Sequence, residues 1–198
     1  MTKVSLVNAD GSPKKGNDYC PQAPFIFGTY KDDGKPNFGM FNWLSYCWDG
    51  ECHVMCGIGG EKLTKDRIHA TGVFSANLVT EKLVPLADWF GNHSGNETDK
   101  ALANVKIERG SLLNVPTLAD SPWTYELEVK HSIPLDDGEI FVCRIANILA
   151  DERLTDENVS VDERFKLVRS ALVAGVGRYY GVNSTPLGKW GDWRDAKL

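Results

Sequence analysis

The chain has 198 residues, of which 42% are hydrophobic and 25% are charged, and its formal net charge is −5. This length suits one domain with a packed core, and the acidic balance argues against a nucleic-acid-binding face, which needs a basic patch. No apolar stretch approaches the ~20 residues that span a bilayer, and residues 1–15 lack the apolar segment of a signal peptide. We therefore expect a cytoplasmic protein whose residues 1–198 form one domain, or one domain with decorated ends.

The first sixty residues predict short strands joined by turns. Residues Pro24–Tyr30 form a β-rich run, and Lys31–Gly34 has the Asp-Gly chemistry of a hairpin turn. Residues Asn37–Trp48, rich in Phe, Trp and Tyr, are predicted as the returning strand, and His53–Ile58 as the next.

The middle of the chain changes from strand to helix. A short helical turn is expected at Lys62–Asp66, before a strand that begins at Val73. Pro85 suits the first position of a helix, where its missing N–H costs nothing, and Gly91 is a suitable end. A polar loop, His93–Lys100, follows.

The last third contains the clearest hairpin signal. Residues Thr124–Ser132 and Glu139–Leu149 are predicted strands on either side of an Asp-Asp-Gly turn. The acidic segment Asp151–Glu163 is predicted as a surface loop with a helical turn. Residues Ser170–Tyr180 are apolar but glycine-interrupted, which predicts either an irregular helix or a packed loop. Many short strands and few long helices favour a mainly β barrel.

Three of the five cysteines lie close together in the chain, at Cys47, Cys52 and Cys56. Their spacing includes no C-x2-C pair, and His53 faces the opposite side of the predicted strand from its neighbouring thiols. An odd cysteine count without a secretion signal favours free thiols over disulfides. We expect structural thiols and no metal site, with a metal or redox site as the alternative.

The loop from His93 to Lys100 is a candidate anion site. It places a hydroxyl at Ser94, a flexible backbone at Gly95 and an ammonium at Lys100 within a short span, and such groups bind phosphate. An ordinary surface turn has the same composition. No P-loop, dinucleotide-binding glycine motif or nucleophile elbow is present, and the paired carboxylates fall on turns. No catalytic side chain is predicted, which fits chemistry that belongs to a bound cofactor.

Two blocks of sequence resemble a known family. The run F-x-x-N-L at Phe74–Leu78 is followed by a helix and then by W-F-G-x-x-S-G-x-x-x-D-K at Trp89–Lys100. An earlier block runs from Gly28 to Trp43. In order and spacing these blocks resemble the flavin reductase-like family, the FMN-binding split barrels related to flavoredoxin. The resemblance covers roughly Pro21–Ile148, and it implies a single domain over residues 1–198 with its core at about 21–150 and an extension at 151–198.

The resemblance implies a mainly β, Greek-key-like split barrel with a few short helices, a homodimer, and FMN as cofactor. The implied activity is an NAD(P)H-dependent flavin reductase that passes electrons from reduced nicotinamide to flavin or to a later acceptor. Two alternatives stay open, namely an FMN-binding electron carrier without nicotinamide oxidation, and a related barrel that holds haem or no cofactor. An aromatic tail, Trp190–Trp193, is expected to pack on the barrel or on a partner chain.

The resemblance also implies the residues that would hold the flavin. The implied cofactor-binding set is Thr29, Asn42, Trp43, Leu44, Thr64, Asn77, Leu78, Ser94, Gly95 and Lys100. The segments 42–44 and 77–78 would follow the isoalloxazine and ribityl chain, and Ser94, Gly95 and Lys100, with Thr64 as a further hydroxyl, would hold the phosphate. For Trp43 a core position is equally compatible with the sequence. Asn77, in the middle of an apolar strand, is a buried amide that needs hydrogen-bond partners.

Overall fold

The computed structural model of the chain describes residues 2–175 and 177–187. Its strands are β1 Phe25–Tyr30, β2 Pro36–Phe41, β3 Leu44–Trp48, β4 Cys52–Gly59, β5 Val73–Leu78, β6 Ile107–Arg109, β7 Pro116–Leu118, β8 Trp123–Leu135, β9 Gly138–Ala150, β10 Ala171–Ala174 and β11 Arg178–Gly181. Its helices are α1 Leu63–Thr71, α2 Val84–Asn92 and α3 Val161–Val168, with short 3₁₀ turns at Glu81–Leu83, Lys100–Leu102 and Glu152–Leu154.

The main sheet curls until its two edges meet. Seven antiparallel strands pair in the order β2-β1-β5-β8-β9-β4-β3. Strands β2 and β3 lie at opposite ends of this order, yet only Asn42 and Trp43 separate them in the chain. Because the three residue steps from Phe41 to Leu44 span at most about 11 Å, the edges must adjoin there. This confirms the predicted mainly β split barrel.

The same geometry corrects one prediction. Residues 37–48 do not form a single returning strand but two strands on opposite edges of the sheet. Both halves have strand composition, and the crossing at 42–43 is required only by closure of the barrel. The crossing therefore carries no local turn signal.

The barrel interior is filled by the inward-facing residues of its strands. Alternation along β1 puts Phe25 and Phe27 inside, and Ile26 faces the opposite side. The interior cluster comprises Phe25, Phe27, Val54, Cys56, Ile58, Ile68, Phe74, Ala76, Tyr125, Leu127, Phe141 and Cys143. Ile68 is the buried contribution of α1, which packs across one end of the barrel near β1 and β2.

A second apolar cluster lies outside β1 and β2, beneath α2. It contains Ile26, Phe38, Val79, Leu83, Ala87, Phe90, Leu118 and Ala171. The predicted helix after Pro85 is confirmed as α2, whose proline lies in the first turn and whose buried residues are Ala87 and Phe90. This cluster fixes the end of α2, and with it the loop that follows, against β2.

The C-terminal part differs from its prediction. Residues Ser170–Tyr180 form neither a helix nor a loop but the hairpin β10–β11, and Gly175 and Gly177 between its strands adopt positive φ. Glycine is the residue that adopts this conformation without strain, so the glycines that argued against a regular helix belong to a turn. The hairpin is joined to the barrel by a bridge between Gln22 and Val173.

Two further features concern the ends and surface of the chain. The aromatic tail at Trp190–Trp193 lies outside the described residues. Among the helices that the structure describes, none has the length and apolarity needed to cross a membrane.

Candidate functional site

A depression of about 210 Å³ lies where β2, the start of α1 and the end of α2 come together. Its lining includes Asn37, Gly39, Glu61, Lys62, Thr64, Phe90, His93, Ser94, Gly95 and Lys100. Four residues of the predicted phosphate set, Thr64, Ser94, Gly95 and Lys100, are therefore brought together from two distant stretches of chain. We call this depression the anion pocket.

Lys100 lies at the bottom of the anion pocket rather than on its rim. The residue is only 4% exposed, and its Nζ donates hydrogen bonds to the backbone carbonyls of Phe38 at 2.6 Å and Phe90 at 2.9 Å. An ammonium has three donors, so one remains for another acceptor. Burial, and secondarily the positive charge of Lys62, lowers the pKa of Lys100 to about 8.

No carboxylate among the described residues pairs with Lys100. The neighbouring Asp99 is bound instead to Lys35, with Nζ and Oδ2 2.9 Å apart, and Glu61 on the pocket rim lies 3.7 Å from Lys65. A buried cation without a counter-charge is costly, because it has lost hydration and gained no ion pair. An anion in the pocket would offset that cost.

A small hydrogen-bond network directs the hydroxyl of Thr64. The buried amide of Asn37 donates to Thr64 Oγ1 at 3.1 Å and to Thr29 Oγ1 at 3.3 Å. Since Thr64 accepts from Asn37, its own O–H is free to donate, and its position lines the pocket. Thr29, 1% exposed, does not line the pocket and reaches it only through Asn37.

The loop after α2 approaches this network closely at Gly95. A Cβ placed on Gly95 would collide with Asn37 Oδ1 and lie 3.0 Å from Leu63 Cδ2. A glycine is therefore required here to let the backbone approach β2 and α1. Beside it, Ser94 Oγ accepts from Asn96 N at 3.2 Å, and its carbonyl accepts from Thr98 N at 2.9 Å, so local bonds shape the loop.

The predicted flavin-ring residues at the barrel seam lie in a separate place. Trp43 is 58% exposed, which excludes the core position that the sequence left open. Its ring lies against Gly57, where an added Cβ would be 3.5 Å from Cε3. Trp43 and Leu44 line an apolar cavity of about 450 Å³. Asn42, at the same seam, is half-buried.

The side chain of Asn77, a predicted flavin-binding residue, is held by hydrogen bonds within the protein. It is fully buried, and its amide donates to Ile26 O at 2.9 Å while its carbonyl accepts from Leu118 N at 2.9 Å and from Thr124 Oγ1 at 3.0 Å. The partners that a buried amide needs are thus supplied by the protein, and the side chain joins β1, β7 and β8. Its neighbour Leu78 lines a different cavity, of about 700 Å³.

Sequence reasoning did not assign two residues of the anion pocket. Asn37 organises Thr64 and contacts Gly95, and Lys62 adds a second positive charge at the mouth. Asn37 could have been identified by the same sequence feature as Asn77, namely an amide side chain within an apolar strand. Lys62 carried no local signal, because its proximity to Lys100 arises only in the fold.

Among the residues that the structure describes, the thiols do not form a cluster with other metal ligands. Within residues 2–175 and 177–187, no group of three or more His, Cys, Asp or Glu side chains has metal-binding geometry. Cys52 is exposed, whereas Cys56 and Cys143 are buried in the barrel. A hydrogen bond with Cys56, and then burial, raises the pKa of Cys143, so this thiol stays protonated.

Comparison with known proteins gives one family and several similar structures. The family model for the flavin reductase-like domain matches residues 18–173. No curated protein sequence matches the chain. Flavoredoxin from Methanosarcina acetivorans is 18% identical with a TM-score of 0.83, and the match covers 98% of this chain and 99% of that one.

Two further structures show the same architecture. Flavoredoxin of Desulfovibrio vulgaris (Miyazaki F) is 24% identical with a TM-score of 0.79, covering 89% of this chain and 93% of that one. The FMN-binding protein from Thermus thermophilus with bound p-hydroxybenzaldehyde is 22% identical with a TM-score of 0.77, covering 94% and 100%. At these identities the structural likeness is a likeness of fold.

Proposed function

Because the chain belongs to the flavin reductase-like family, we propose that it binds FMN and transfers electrons from a reduced nicotinamide dinucleotide to that flavin or to a later acceptor. The proposal follows the family model over residues 18–173 and the geometry of the anion pocket. Its reacting group is the cofactor, and the protein supplies binding, orientation and electrostatics. We further propose that residues 1–198 act as one domain.

The observation that carries the proposal is the buried ammonium of Lys100 without a carboxylate partner in the described chain. The pocket around it presents donors but no carboxylate that is itself buried, since Glu61 is exposed. Hydrogen-bond donors grouped around a positive charge suit a phosphate, because phosphate is an anion with several acceptor oxygens. Hydrogen bonds between charged groups are also stronger than those between neutral groups. The terminal phosphate of FMN fits this pocket in charge and hydrogen-bonding chemistry.

Six residues of the pocket have a proposed role toward that phosphate. Lys100 donates its remaining N–H and its charge, Thr64 and Ser94 donate hydroxyl hydrogens, and Lys62 attracts the anion from the mouth. Gly95 lets the loop backbone come close enough to contribute. Asn37 acts through Thr64, whose rotamer it holds.

The flavin ring is proposed to lie at the seam formed by residues 42–44, with Trp43 as an aromatic contact. The indole is exposed and supported from behind by Gly57, so it offers an apolar face without moving. The bound flavin would supply the hydride and electron chemistry. Thr29 and Asn77 are proposed to act indirectly, because both side chains are bound within the protein.

We propose a homodimer because the outer face of the sheet exposes several large apolar side chains. Trp43, Met55, Ile133 and Leu135 are each at least 40% exposed, and the last three share one face by their strand register. An exposed apolar face of this kind on a soluble protein marks an interaction surface. Size-exclusion chromatography with light scattering should give twice the chain mass.

Free cysteines fit a reducing compartment, and we propose the cytoplasm.

Steady-state oxidation of NADH and NADPH, with and without added FMN, tests the activity. Turnover that rises with added FMN supports the reductase. A protein that binds FMN but oxidises neither nicotinamide is an electron carrier, and the reductase proposal is then wrong. An absorption spectrum that shows a Soret band, or no cofactor after incubation with FMN, would contradict the flavin proposal itself.

A further inference from the structure

The cavity of about 700 Å³ that Leu78 lines lies between one end of the barrel and α3, and it shares no residue with the anion pocket. Five aromatic residues line it: Phe25, Tyr46, Trp123, Tyr125 and Phe165. The rest of the apolar lining is aliphatic and comprises Ala23, Leu44, Leu78, Leu154, Val161 and Val168. The volume falls within the roughly 300–1,000 Å³ of small-molecule sites, and aromatic walls favour a planar apolar ligand.

One charged side chain lines this aromatic cavity. Arg164, on α3, lines it and is half-buried. Nη1 donates to the Leu154 carbonyl at 3.0 Å, whereas Nε is shielded from solvent and finds no acceptor among the described residues. Within that same part of the chain, no carboxylate lies in ion-pair range of this guanidinium, although nearby Arg153 and Arg169 are each paired. Arginine has five donors and stays charged, and among the described residues only one of these donors has a protein acceptor.

A second donor faces the cavity from the barrel. The hydroxyls of Tyr46 and Tyr125 lie 2.5 Å apart, and only one of them can donate to the other. The accepting tyrosine keeps its own O–H for a further partner. Burial, and then the bond with Tyr46, raises the pKa of Tyr125, so its hydroxyl stays neutral and able to donate.

We infer that this aromatic cavity binds a small aromatic carboxylate. Its ring would pack among the aromatic walls, and its carboxylate would accept hydrogen bonds from Arg164, which suits carboxylates in geometry as well as charge. This inference goes beyond the flavin proposal: none of the anion-pocket residues takes part, and of the proposed ring seam 42–44 only Leu44 also lines the aromatic cavity.

The test is isothermal titration calorimetry of the full chain with three probes: benzoate, its neutral isostere benzamide, and acetate, which lacks the ring. Benzoate should bind the wild type at least about tenfold more tightly than either other probe. Arg164→Met should weaken benzoate about tenfold to a hundredfold, the range for loss of a charge-assisted hydrogen bond, and leave benzamide nearly unchanged. Arg109→Met, at an exposed arginine on β6 outside the cavity, is the matched control and should change nothing.

If Arg164→Met fails to fold, Phe165→Ala still tests the inference. Phe165 is about half exposed, so its loss should leave the fold intact. The substitution removes one wall and should weaken benzoate and benzamide alike. Equal benzoate affinity in wild type and Arg164→Met, or no benzoate binding at all, overturns the inference. Loss of benzoate binding when FMN is saturating would show that the cavity is part of the flavin site and would also overturn it.

Discussion

Replacing Lys100 by methionine isolates the charge in the anion pocket. Methionine fills most of the space of the lysine stem, so the change removes the ammonium without opening a large cavity. With a pKa of about 8, Lys100 is about nine-tenths protonated at pH 7. Two of its donors are already bound to backbone carbonyls, which leaves one charge-assisted hydrogen bond for the phosphate.

Loss of one hydrogen bond to a charged group costs about 1.5–3 kcal/mol, so Lys100→Met should weaken FMN binding about tenfold to a hundredfold. Ser94→Ala, which removes a neutral donor, should weaken FMN less than about tenfold. Riboflavin, which has no phosphate, should bind wild type and Lys100→Met alike. Lys130→Met, at an exposed lysine on β8 outside the pocket, is the control for net charge.

The assay is a fluorescence titration of both flavins into the flavin-free proteins. The wild type and Lys100→Met, each with FMN and riboflavin, form a double cycle in which only the FMN–wild-type pair has the lysine–phosphate contact. If Lys100→Met weakens riboflavin as much as FMN, Lys100 does not bind the phosphate, and the role assigned to the pocket is wrong.

Three further results are expected. The ratio of FMN to riboflavin affinity should fall as the pH rises above about 8, because the buried ammonium of Lys100 in the flavin-free protein then loses its proton. Over the same rise in pH the free energy of unfolding of the flavin-free protein should increase, because the unfolded chain then holds more protons than the folded one. A ratio constant from pH 7 to 9.5 would contradict this. Gly95→Ala presses a methyl group onto Asn37 and should weaken the binding of FMN more than that of riboflavin. Unchanged FMN affinity in this variant would show that the loop can shift to accept the methyl group. Replacing the thiols of Cys47, Cys52 and Cys56 with alanine should lower the melting temperature, chiefly through the cavity left at Cys56, and leave FMN binding intact; stoichiometric zinc in the wild type, lost with activity in the variant, would contradict structural thiols.

The local parts of the fold could be predicted from the sequence, because their signals are local. The Asp-Gly turns fixed the hairpins, and Pro85 marked the first turn of α2. The strand break at Asn42–Trp43 could not be predicted, since it depends on strands from the whole chain closing into one barrel. The hairpin β10–β11 could not be predicted, because Gly175 and Gly177 are equally compatible with a defective helix, a packed loop and a turn between strands.

The candidate site shows the same division between local and long-range signals. The composition of the 93–100 loop indicated an anion site, but the burial of Lys100 follows from α2 packing on β2 through Phe90 and Phe38. The need of Asn77 for partners was visible in its strand, whereas the identity of those partners, Leu118 and Thr124, was not. The sequence pattern indicates which buried polar residue needs hydrogen-bond partners, and only the fold shows which residues supply them.

A crystal structure of the protein with FMN would show directly whether the anion pocket binds the phosphate. We expect the FMN phosphate in the anion pocket, with oxygens about 2.7–3.2 Å from Lys100 Nζ and Thr64 Oγ1, and the flavin ring at the seam beside Trp43. FMN bound with its phosphate in solvent or in another cavity, and Lys100 still bonded only to the carbonyls of Phe38 and Phe90, would contradict this expectation.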